Sequence, residues 1–422
     1  MSVFIGSIPN NDKDDIQLAK DIVKGNISCE GDLTTLKKKL EGIFNSKPFL
    51  FNRGRDSLYF FLRLLNLNST DEVLLQAFTC IAVVSPIIWT KAKPVYIDIK
   101  KESFNMNLDS LKKKITSNTR AIIVQHTFGN IIDTQKVREI VEKENRRRET
   151  NRKIYLIEDC AHIFTEDFSK LGIGKYSDMY FFSFSQDKSI SSTQGALMII
   201  NNPTLLKKAT LEYQNIQEPN KKEALYNAKY ILLWSNIKRN YFKTLIPFTN
   251  ITIGRILIIV YRMLGLIRKQ AGTNTVEGAK IEKMSDIQAC LLLNQLKKSN
   301  LFNKHREDIV NIYNKYLDKE YRYTSNTKFL LRYPILLQNT QEIKRRLLEL
   351  KLISGNWYKN PVHPLTYESK KLTDVNYIVG SCPNAEFLGK QVLNLPTNIE
   401  MTSEIAIKVS KIINKFARPL KF

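Results

Sequence analysis

Short apolar runs and amphipathic stretches alternate along the chain from about residue 49 to residue 200. The apolar runs have the length of buried strands, and the stretches between them repeat their apolar positions at helical spacing. This alternation predicts an α/β fold with a mainly parallel central sheet and crossover helices. The predicted strands are 73–75, 94–97, 121–125, 154–158, 179–182 and 196–200. The predicted helices are 57–65, 81–90, 108–114 and 134–145.

The alternation stops at about residue 205. Helical apolar patches at 230–237 and 256–266 are then separated by basic and Asn-rich segments, and we interpret this region as a helical insertion. A further helix is predicted from residue 284 to about residue 298, and the pattern after it indicates a smaller α+β domain. The predicted organisation is a large domain at 1–204, the helical insertion at 205–277 and a small C-terminal domain at 278–422.

The composition is that of an ordinary folded protein. With 422 residues, 43% of them hydrophobic, the chain can form two domains around a substantial core. The five cysteines are scattered and lack CxxC or Cys/His ligand spacing, so the sequence predicts neither a disulfide framework nor a zinc site. The N-terminus has no basic segment followed by a long apolar run, so no secretory signal is predicted. We therefore expect a protein of the reducing cytosol.

The net charge of +24 comes from 65 basic and 41 acidic side chains. Such a charge raises the possibility of a nucleic acid, membrane or polyanionic partner. The basic residues are spread along the whole chain, which favours a diffusely solvated surface, and we expect no nucleic-acid partner.

Two side chains with complementary chemistry follow neighbouring predicted strands. Asp159 comes at the end of one strand, and Lys188 lies five residues after Ser183 at the end of the next. Ligands of open α/β sheets bind outside the carboxyl ends of the strands. Pyridoxal phosphate needs a lysine for its Schiff base and a carboxylate for its pyridine nitrogen. The alternatives are a surface lysine and an aspartate that caps a turn.

A third segment is a candidate phosphate cradle. Gly54 and Arg55 precede an apolar helix, so their backbone N–H groups are expected to point towards an anion. Hydroxyl groups of Ser183 and Ser57 are candidate ligands of the same phosphate. His162, three residues beyond Asp159, is a candidate contact of the cofactor ring or its 3-hydroxyl, although a single histidine is usually structural.

At these residues the sequence resembles the DegT/StrS family of pyridoxal-phosphate-dependent sugar aminotransferases. The resemblance implies the aspartate-aminotransferase-like fold, a Schiff-base lysine at Lys188, a pyridinium partner at Asp159 and a ring contact at His162. It also implies phosphate contacts from Gly54, Arg55 and Ser183, and a homodimer with active sites near the subunit interface. The resemblance is carried by Gly54-Arg55-Asp56-Ser57-Leu58, Ala77-Phe78-Thr79-Cys80, Lys93-Pro94-Val95-Tyr96-Ile97-Asp98, His126-Thr127-Phe128-Gly129, Glu158-Asp159-Cys160-Ala161-His162, Phe182-Ser183-Phe184-Ser185 with Lys188, Met284-Ser285-Asp286-Ile287-Gln288-Ala289 and Leu393-Asn394-Leu395-Pro396-Thr397.

The chain departs from the family pattern at two places that bear on the cofactor. Many members have an aromatic residue that stacks on the cofactor ring where this chain has Cys80, so stacking by the nearby Phe78 is the alternative. Many members also have an Asn before the position of Met284 that reaches the cofactor of the partner subunit. This chain has the sequence Ala279-Lys280-Ile281-Glu282-Lys283 instead.

The function implied by the resemblance is transfer of an amino group from an amino acid, glutamate being the expected donor, to a keto-sugar linked to a nucleotide. One alternative is a pyridoxamine-dependent sugar dehydratase of the same fold, in which histidine typically replaces the lysine. A second alternative is a non-catalytic regulator or a membrane-associated scaffold.

The insertion contains a basic amphipathic segment. Arg255, Arg262 and Lys269 recur every seven residues and so share one helical stripe. An apolar face is expected to contain Ile256, Ile259, Val260, Met263 and Ile267. The segment is too short and too interrupted by charge to span a bilayer, which needs about 20 apolar residues. We expect it to dock on the protein's own core or on a dimer partner, and peripheral contact with an anionic membrane is the alternative.

Overall fold

The computed structural model describes residues 2–6, 8–245, 251–267, 280–366 and 371–420. Its strands are β1 (Val3–Phe4), β2 (Phe49–Phe51), β3 (Glu72–Gln76), β4 (Thr79–Cys80), β5 (Lys93–Ile97), β6 (Thr119–Gln125), β7 (Tyr155–Asp159), β8 (Met179–Ser183), β9 (Ala196–Ile200), β10 (Arg332–Leu336), β11 (Leu352–Ile353), β12 (Val362–His363) and β13 (Val392–Pro396). Its α-helices are α1 (Lys13–Lys24), α2 (Asp32–Phe44), α3 (Gly54–Leu64), α4 (Ile81–Trp89), α5 (Leu108–Lys114), α6 (Thr134–Asn145), α7 (Pro203–Gln214), α8 (Lys221–Asn240), α9 (Ile253–Met263), α10 (Asp286–Leu296), α11 (Ser299–Tyr316), α12 (Thr340–Glu349), α13 (Lys371–Asp374), α14 (Pro383–Gln391) and α15 (Ser403–Phe416).

A seven-stranded sheet forms the centre of the fold, with strand order β2-β9-β8-β7-β6-β3-β5. The five strands from β8 to β5 in this order run parallel to one another, whereas β9 and β2 are antiparallel to their neighbours. The predicted mainly parallel α/β sheet is therefore confirmed. Helix α3 begins at Gly54, three residues before the predicted start, because the extended Arg53 already precedes the first helical residue.

Both faces of this sheet are buried, which explains why its strands are continuous apolar runs. Successive side chains of a strand point to opposite faces, so Leu156 and Ile157 of β7 join different core clusters. In the same way, Phe181 and Phe182 of β8 belong to clusters on opposite faces of the sheet. This double burial leaves the strand ends as the place for polar chemistry.

One short strand pair lies within the C-terminal part, and a second pair connects this part to β4, outside the central sheet. Strands β10 and β13 pair antiparallel, with Arg332 opposite Pro396. Strand β12 pairs parallel with β4, which sets His363 beside Cys80. The α+β character predicted for this part is confirmed, whereas the domain boundaries stay predictions.

In the described part of the predicted insertion lie most of α7, and α8 and α9, of which α8 packs on α1 and α10, and α9 packs on α8. Helix α9 ends at Met263 rather than at residue 266, because Gly265 adopts the left-handed conformation that terminates helices, with φ of 65°. Ile267 lies beyond the helix and is buried, so its predicted place on the apolar face of α9 is wrong. Lys269 and Ala279 lie outside the described residues.

Candidate active site

The carboxyl ends of β7 and β8 bring the predicted catalytic residues together. The two strands pair in parallel with Asp159 opposite Phe181, so Asp159 and Ser183 lie at the same edge of the sheet. Lys188 follows in a turn, and hydrogen bonds fix both its N–H group and its carbonyl group. Its N–H donates to the carbonyl of Ser185 over 3.0 Å, and its own carbonyl accepts from the side chain of Asn10 over 2.8 Å.

The environment of Asp159 suits a carboxylate that partners a cation. Its side chain is buried, and Oδ1 accepts a hydrogen bond from Ala161 N over 2.9 Å. Among the described residues, no donor reaches Oδ2. Burial raises the pKa of this carboxyl group, an effect that the nearby charge of Lys188 opposes only in part. A protonated pyridine nitrogen would supply the missing positive charge and hydrogen bond, so Asp159 fits pyridoxal phosphate.

The start of α3 and Ser183 form a narrow cradle at Gly54. A Cβ atom at Gly54 would lie 3.3 Å from Ser183 Oγ, tighter than most such contacts. Within the described part of the chain, neither Gly54 N nor Arg55 N donates a hydrogen bond. Two unused helix N–H groups facing a serine hydroxyl make an anion site. The cradle therefore fits the phosphate group of the predicted cofactor.

Ser57 is placed differently from Ser183. Its side chain is buried, and its hydroxyl donates to the Gly54 carbonyl over 2.7 Å inside the first turn of α3. In this structure Ser57 thus stabilises the helix start, and its predicted phosphate contact stays a prediction.

His162 is fully enclosed and uses both ring nitrogens. Nδ1 accepts from Phe128 N over 3.1 Å, and Nε2 lies 3.0 Å from the hydroxyl of Tyr358. Burial, and then the charges of Lys188 and Arg332, hold the pKa of His162 well below its usual value. A neutral imidazole with Nδ1 as acceptor carries its proton on Nε2, which therefore donates to Tyr358. The predicted contact of His162 with the cofactor ring stays a prediction.

Phe78 and Cys80, the two candidates for stacking on the cofactor ring, differ in how far their side chains are buried. Phe78 is fully buried, and its ring stacks on that of Phe104 with 5.2 Å between centroids. This geometry does not favour Phe78 as the residue that stacks on the cofactor. Cys80 is half-buried at the N-cap of α4, and its thiol experiences the charges of Lys188 and Arg55. The position aligned with the usual aromatic residue therefore faces the site with a smaller side chain.

A buried ion pair beside Lys188 was not identified from the sequence. Nη2 of Arg332 donates to Asp187 Oδ2 over 2.6 Å, and the guanidinium group lies 3.7 Å from the ring centroid of Trp357. Burial by itself would raise the pKa of Asp187, but the charges of Lys188 and Arg332 outweigh it and lower the pKa. An arginine within the apolar run of β10 is the signal that could have indicated a buried partner.

We expect Arg332→Leu to destabilise the fold by roughly 2–3 kcal/mol, since removal of Arg332 takes away the nearer of the two cations that compensate the Asp187 charge. The cost falls below the roughly 3–5 kcal/mol of a fully buried pair, because Asp187 keeps Lys188 Nζ at 3.7 Å. Urea unfolding measures this effect, and Arg332→Lys separates the loss of charge from the loss of the planar contact with Trp357. An unchanged unfolding midpoint in Arg332→Leu would show that the pair has no stabilising role.

We expect Ser183→Ala to weaken cofactor binding about tenfold to a hundredfold, the range for one hydrogen bond to a charged group, with a smaller effect on turnover at saturating cofactor. Titration of the apoprotein with pyridoxal phosphate gives the dissociation constant. Ser57→Ala is the companion variant, because its hydroxyl already donates to Gly54. If Ser183→Ala binds the cofactor as tightly as the unmodified protein, Ser183 is not a phosphate ligand.

Comparisons with known proteins identify the family of the chain. The chain matches the DegT/DnrJ/EryC1/StrS aminotransferase family over residues 11–240 and 253–414. It is 26% identical over 370 residues to protein MJ1066 of Methanocaldococcus jannaschii, covering 85% of this chain and 82% of that protein. It is 25% identical over 371 residues to the GDP-perosamine synthase of Escherichia coli O157:H7, covering 86% and 84%.

Solved structures show the same fold. Spr1654 from Streptococcus pneumoniae superposes in its apo form with a TM-score of 0.71 at 19% identity, covering 97% of this chain and 96% of that one. Its pyridoxal phosphate form gives a TM-score of 0.68. The family match spans most of the sequence, and the strand-end lysine and aspartate occupy one edge of the sheet. The chain therefore belongs to the DegT/DnrJ/EryC1/StrS aminotransferase family of pyridoxal-phosphate-dependent sugar aminotransferases.

Proposed function

We propose that this enzyme transfers the amino group of an amino acid, glutamate, to a keto-sugar that is linked to a nucleotide. The observation that carries the proposal is the grouping of Lys188, Asp159 and the cradle of Gly54 and Ser183 at one sheet edge. The nucleotide linkage is supported by the similarity to a GDP-perosamine synthase along most of both chains. The net charge of +24 also suits a substrate that carries a diphosphate.

Pyridoxal phosphate, when bound, supplies the electron sink for negative charge at the substrate carbon. Lys188 Nζ would hold the cofactor and, as a free amine, would carry the proton to and from that carbon. Asp159 Oδ2 keeps a proton on the pyridine nitrogen. Gly54, Arg55 and Ser183 hold the phosphate group in the cradle.

The pair of Asp187 and Arg332 contributes to this chemistry by its geometry. The Asp187 carboxylate lies 2.6 Å from the guanidinium group and 3.7 Å from Lys188 Nζ. Because Arg332 holds this carboxylate closely, Lys188 has no tight ion pair to break before it reacts. The retained lysine argues against the dehydratase, in which histidine typically replaces it.

The decisive experiment supplies the purified enzyme with pyridoxal phosphate, glutamate and a panel of GDP-linked and UDP-linked keto-sugars. We expect one of them to be aminated with stoichiometric formation of 2-oxoglutarate, measured by mass spectrometry. Free keto-sugars and a keto-inositol with glutamine as donor form the matched controls. Three relatives that match less than half of this chain are named glutamine:inosose aminotransferases. Amination of these controls alone would refute the nucleotide linkage, and loss of water without amination would favour the dehydratase.

We also propose that the enzyme is a homodimer of the cytosol. In the segment before Met284, where many members have the Asn that reaches the partner's cofactor, this chain has no Asn, and its Ile281 is buried. The adjacent Glu282 binds its own chain, since its carbonyl accepts from Asn52 N over 2.9 Å. Sedimentation equilibrium tests the dimer, and a monomer at assay concentration would contradict it.

A further inference from the structure

Helix α9 presents an apolar face to solvent. Ile256, Ile259, Val260 and Met263 share one side of the helix at 3.6 residues per turn, and the last three are 57%, 39% and 81% exposed. Of the fifteen exposed large hydrophobic residues in the described part of the chain, seven fall between residues 245 and 266. They are Leu245, Ile251, Ile259, Val260, Met263, Leu264 and Leu266. We call these seven residues the outer apolar patch.

The opposite side of α9 is already used for packing. Leu257, Ile258 and Tyr261 pack against the buried residues of α8, and the hydroxyl of Tyr261 accepts from Asn236 over 2.9 Å. A Cβ atom at Gly254 would lie 2.3 Å from Tyr241 Cα, so the two helices are in direct backbone contact. The expected docking of α9 on the protein's own core is thus achieved by the side of the helix that contains Leu257, Ile258 and Tyr261. The outer apolar patch is not needed to hold α9 in place.

The charged residues of the chain segment that contains the outer apolar patch are all basic. From residue 224 to residue 276 the sequence has eight basic residues and no acidic residue. Of the eight, Lys229, Arg239, Lys243, Arg255 and Arg262 are exposed, whereas Lys238 is paired with Glu400. The eight are Lys229, Lys238, Arg239, Lys243, Arg255, Arg262, Arg268 and Lys269. A combination of exposed apolar side chains and basic residues is complementary to a surface that is both apolar and anionic.

A second copy of the chain fits this patch less well. A two-fold interface through α9 would set the same patch against itself and would bring exposed basic residues of the two copies, such as Arg262 and Lys243, close to one another. Like charges across an interface oppose association. The family match also skips residues 241–252, which contain Leu245 and Ile251 of the patch. Part of the patch therefore lies outside the sequence that the family shares.

We propose that the outer apolar patch and the exposed basic residues near it, Lys243, Arg255 and Arg262, bind the surface of a membrane that contains anionic lipids. Helix α9 would lie in the plane of the headgroups, with Ile259 and Met263 towards the acyl chains and Arg262 among the phosphates. None of the helices in the described residues has the length and apolar composition needed to span a bilayer. The proposal is independent of the reaction that the enzyme catalyses.

The test is co-sedimentation of the full chain, loaded with pyridoxal phosphate, with vesicles. We expect binding to phosphatidylcholine vesicles that contain phosphatidylglycerol, weaker binding at high salt, and none to phosphatidylcholine alone. Ile259→Asn with Met263→Asn is expected to lower the partition coefficient at least about tenfold through lost apolar burial. Lys243→Glu with Arg262→Glu is expected to lower it at least about tenfold, since one basic residue contributes about fivefold.

Control variants place the same two kinds of change, an apolar residue to Asn and a basic residue to Glu, outside the outer apolar patch. Leu301→Asn removes an exposed leucine of α11, and Lys411→Glu reverses an exposed lysine of α15. Both controls are expected to bind vesicles like the unmodified protein, and thermal unfolding verifies that all variants fold. The proposal is overturned if the protein does not bind anionic vesicles at low salt, or if the α9 variants bind as well as the controls. Dissociation of a dimer by the apolar variant, without vesicle binding, would identify a second copy as the occupant and also overturn it.

Discussion

Lys188→Ala is expected to abolish amino transfer, with a loss of more than about 10⁴-fold, because general acid–base catalysis by a positioned side chain contributes up to that factor. The variant also removes the amine that attaches the cofactor. The visible absorbance of the lysine-bound cofactor should disappear, while added pyridoxal phosphate still binds through the phosphate cradle. Single-turnover assays and absorption spectra measure the two effects separately.

The fold should tolerate this change, because among the described residues the ammonium group of Lys188 makes one ion pair, a long one of 3.7 Å to Asp187, which also pairs with Arg332. Lys207→Ala is the matched control, since it truncates an exposed lysine of α7. Circular dichroism and thermal unfolding should be close to those of the unmodified protein in both variants. Retention of turnover and of the absorbance in Lys188→Ala would disprove the assignment of the catalytic lysine.

Asp159→Asn is expected to reduce turnover about 10²-fold to 10³-fold, the range for loss of one electrostatic contact at a reacting group. An amide keeps the shape of the side chain and the hydrogen bond from Ala161, but it cannot hold the pyridine proton. The effect should appear in the rate of proton transfer more than in cofactor affinity. Pre-steady-state absorbance changes after mixing with glutamate give this rate.

The neighbouring carboxylate provides the control for this prediction. Glu158 points to the opposite face of the sheet, where it lies 3.1 Å from His126 Nε2 and accepts from Gly174 N. Glu158→Gln should therefore lower the unfolding midpoint while leaving the rate of proton transfer largely unchanged. If Asp159→Asn is fully active, Asp159 only caps the turn to Ala161.

The sequence predicted the parts of the site whose position depends on short-range features. Strand β7 and strand β8 are apolar runs that end in Asp159 and Ser183, and parallel strands place their carboxyl ends at one edge. Gly54 at a predicted helix start likewise predicted the phosphate cradle, because a helix start is a local feature of the sequence. The role of Lys188 came from the family motif, because a lysine in a turn has no local signal that separates it from a surface lysine.

The tertiary structure decided the contacts that join distant segments. Arg332 reaches Asp187 across 145 positions, and Tyr358 reaches His162 across 196 positions. No periodicity in either segment predicts these pairs, because they depend on how β10 and the loop before β12 pack against the sheet. The burial of Phe78 likewise depends on Phe104, which belongs to a different segment.

The sequence by itself thus predicted the six apolar strands of the central sheet from β3 to β9, the helices between them, the sheet edge at which the chemistry is expected, and the family, because apolar spacing and strand-end residues are local properties. For α9 it determined that apolar and basic residues share a helix, but not which apolar side is covered. Only the tertiary structure showed that Leu257 and Tyr261 pack on α8 while Ile259 and Met263 remain exposed. The physical reason is that burial depends on the neighbours that the whole chain supplies, and a single helix does not specify them.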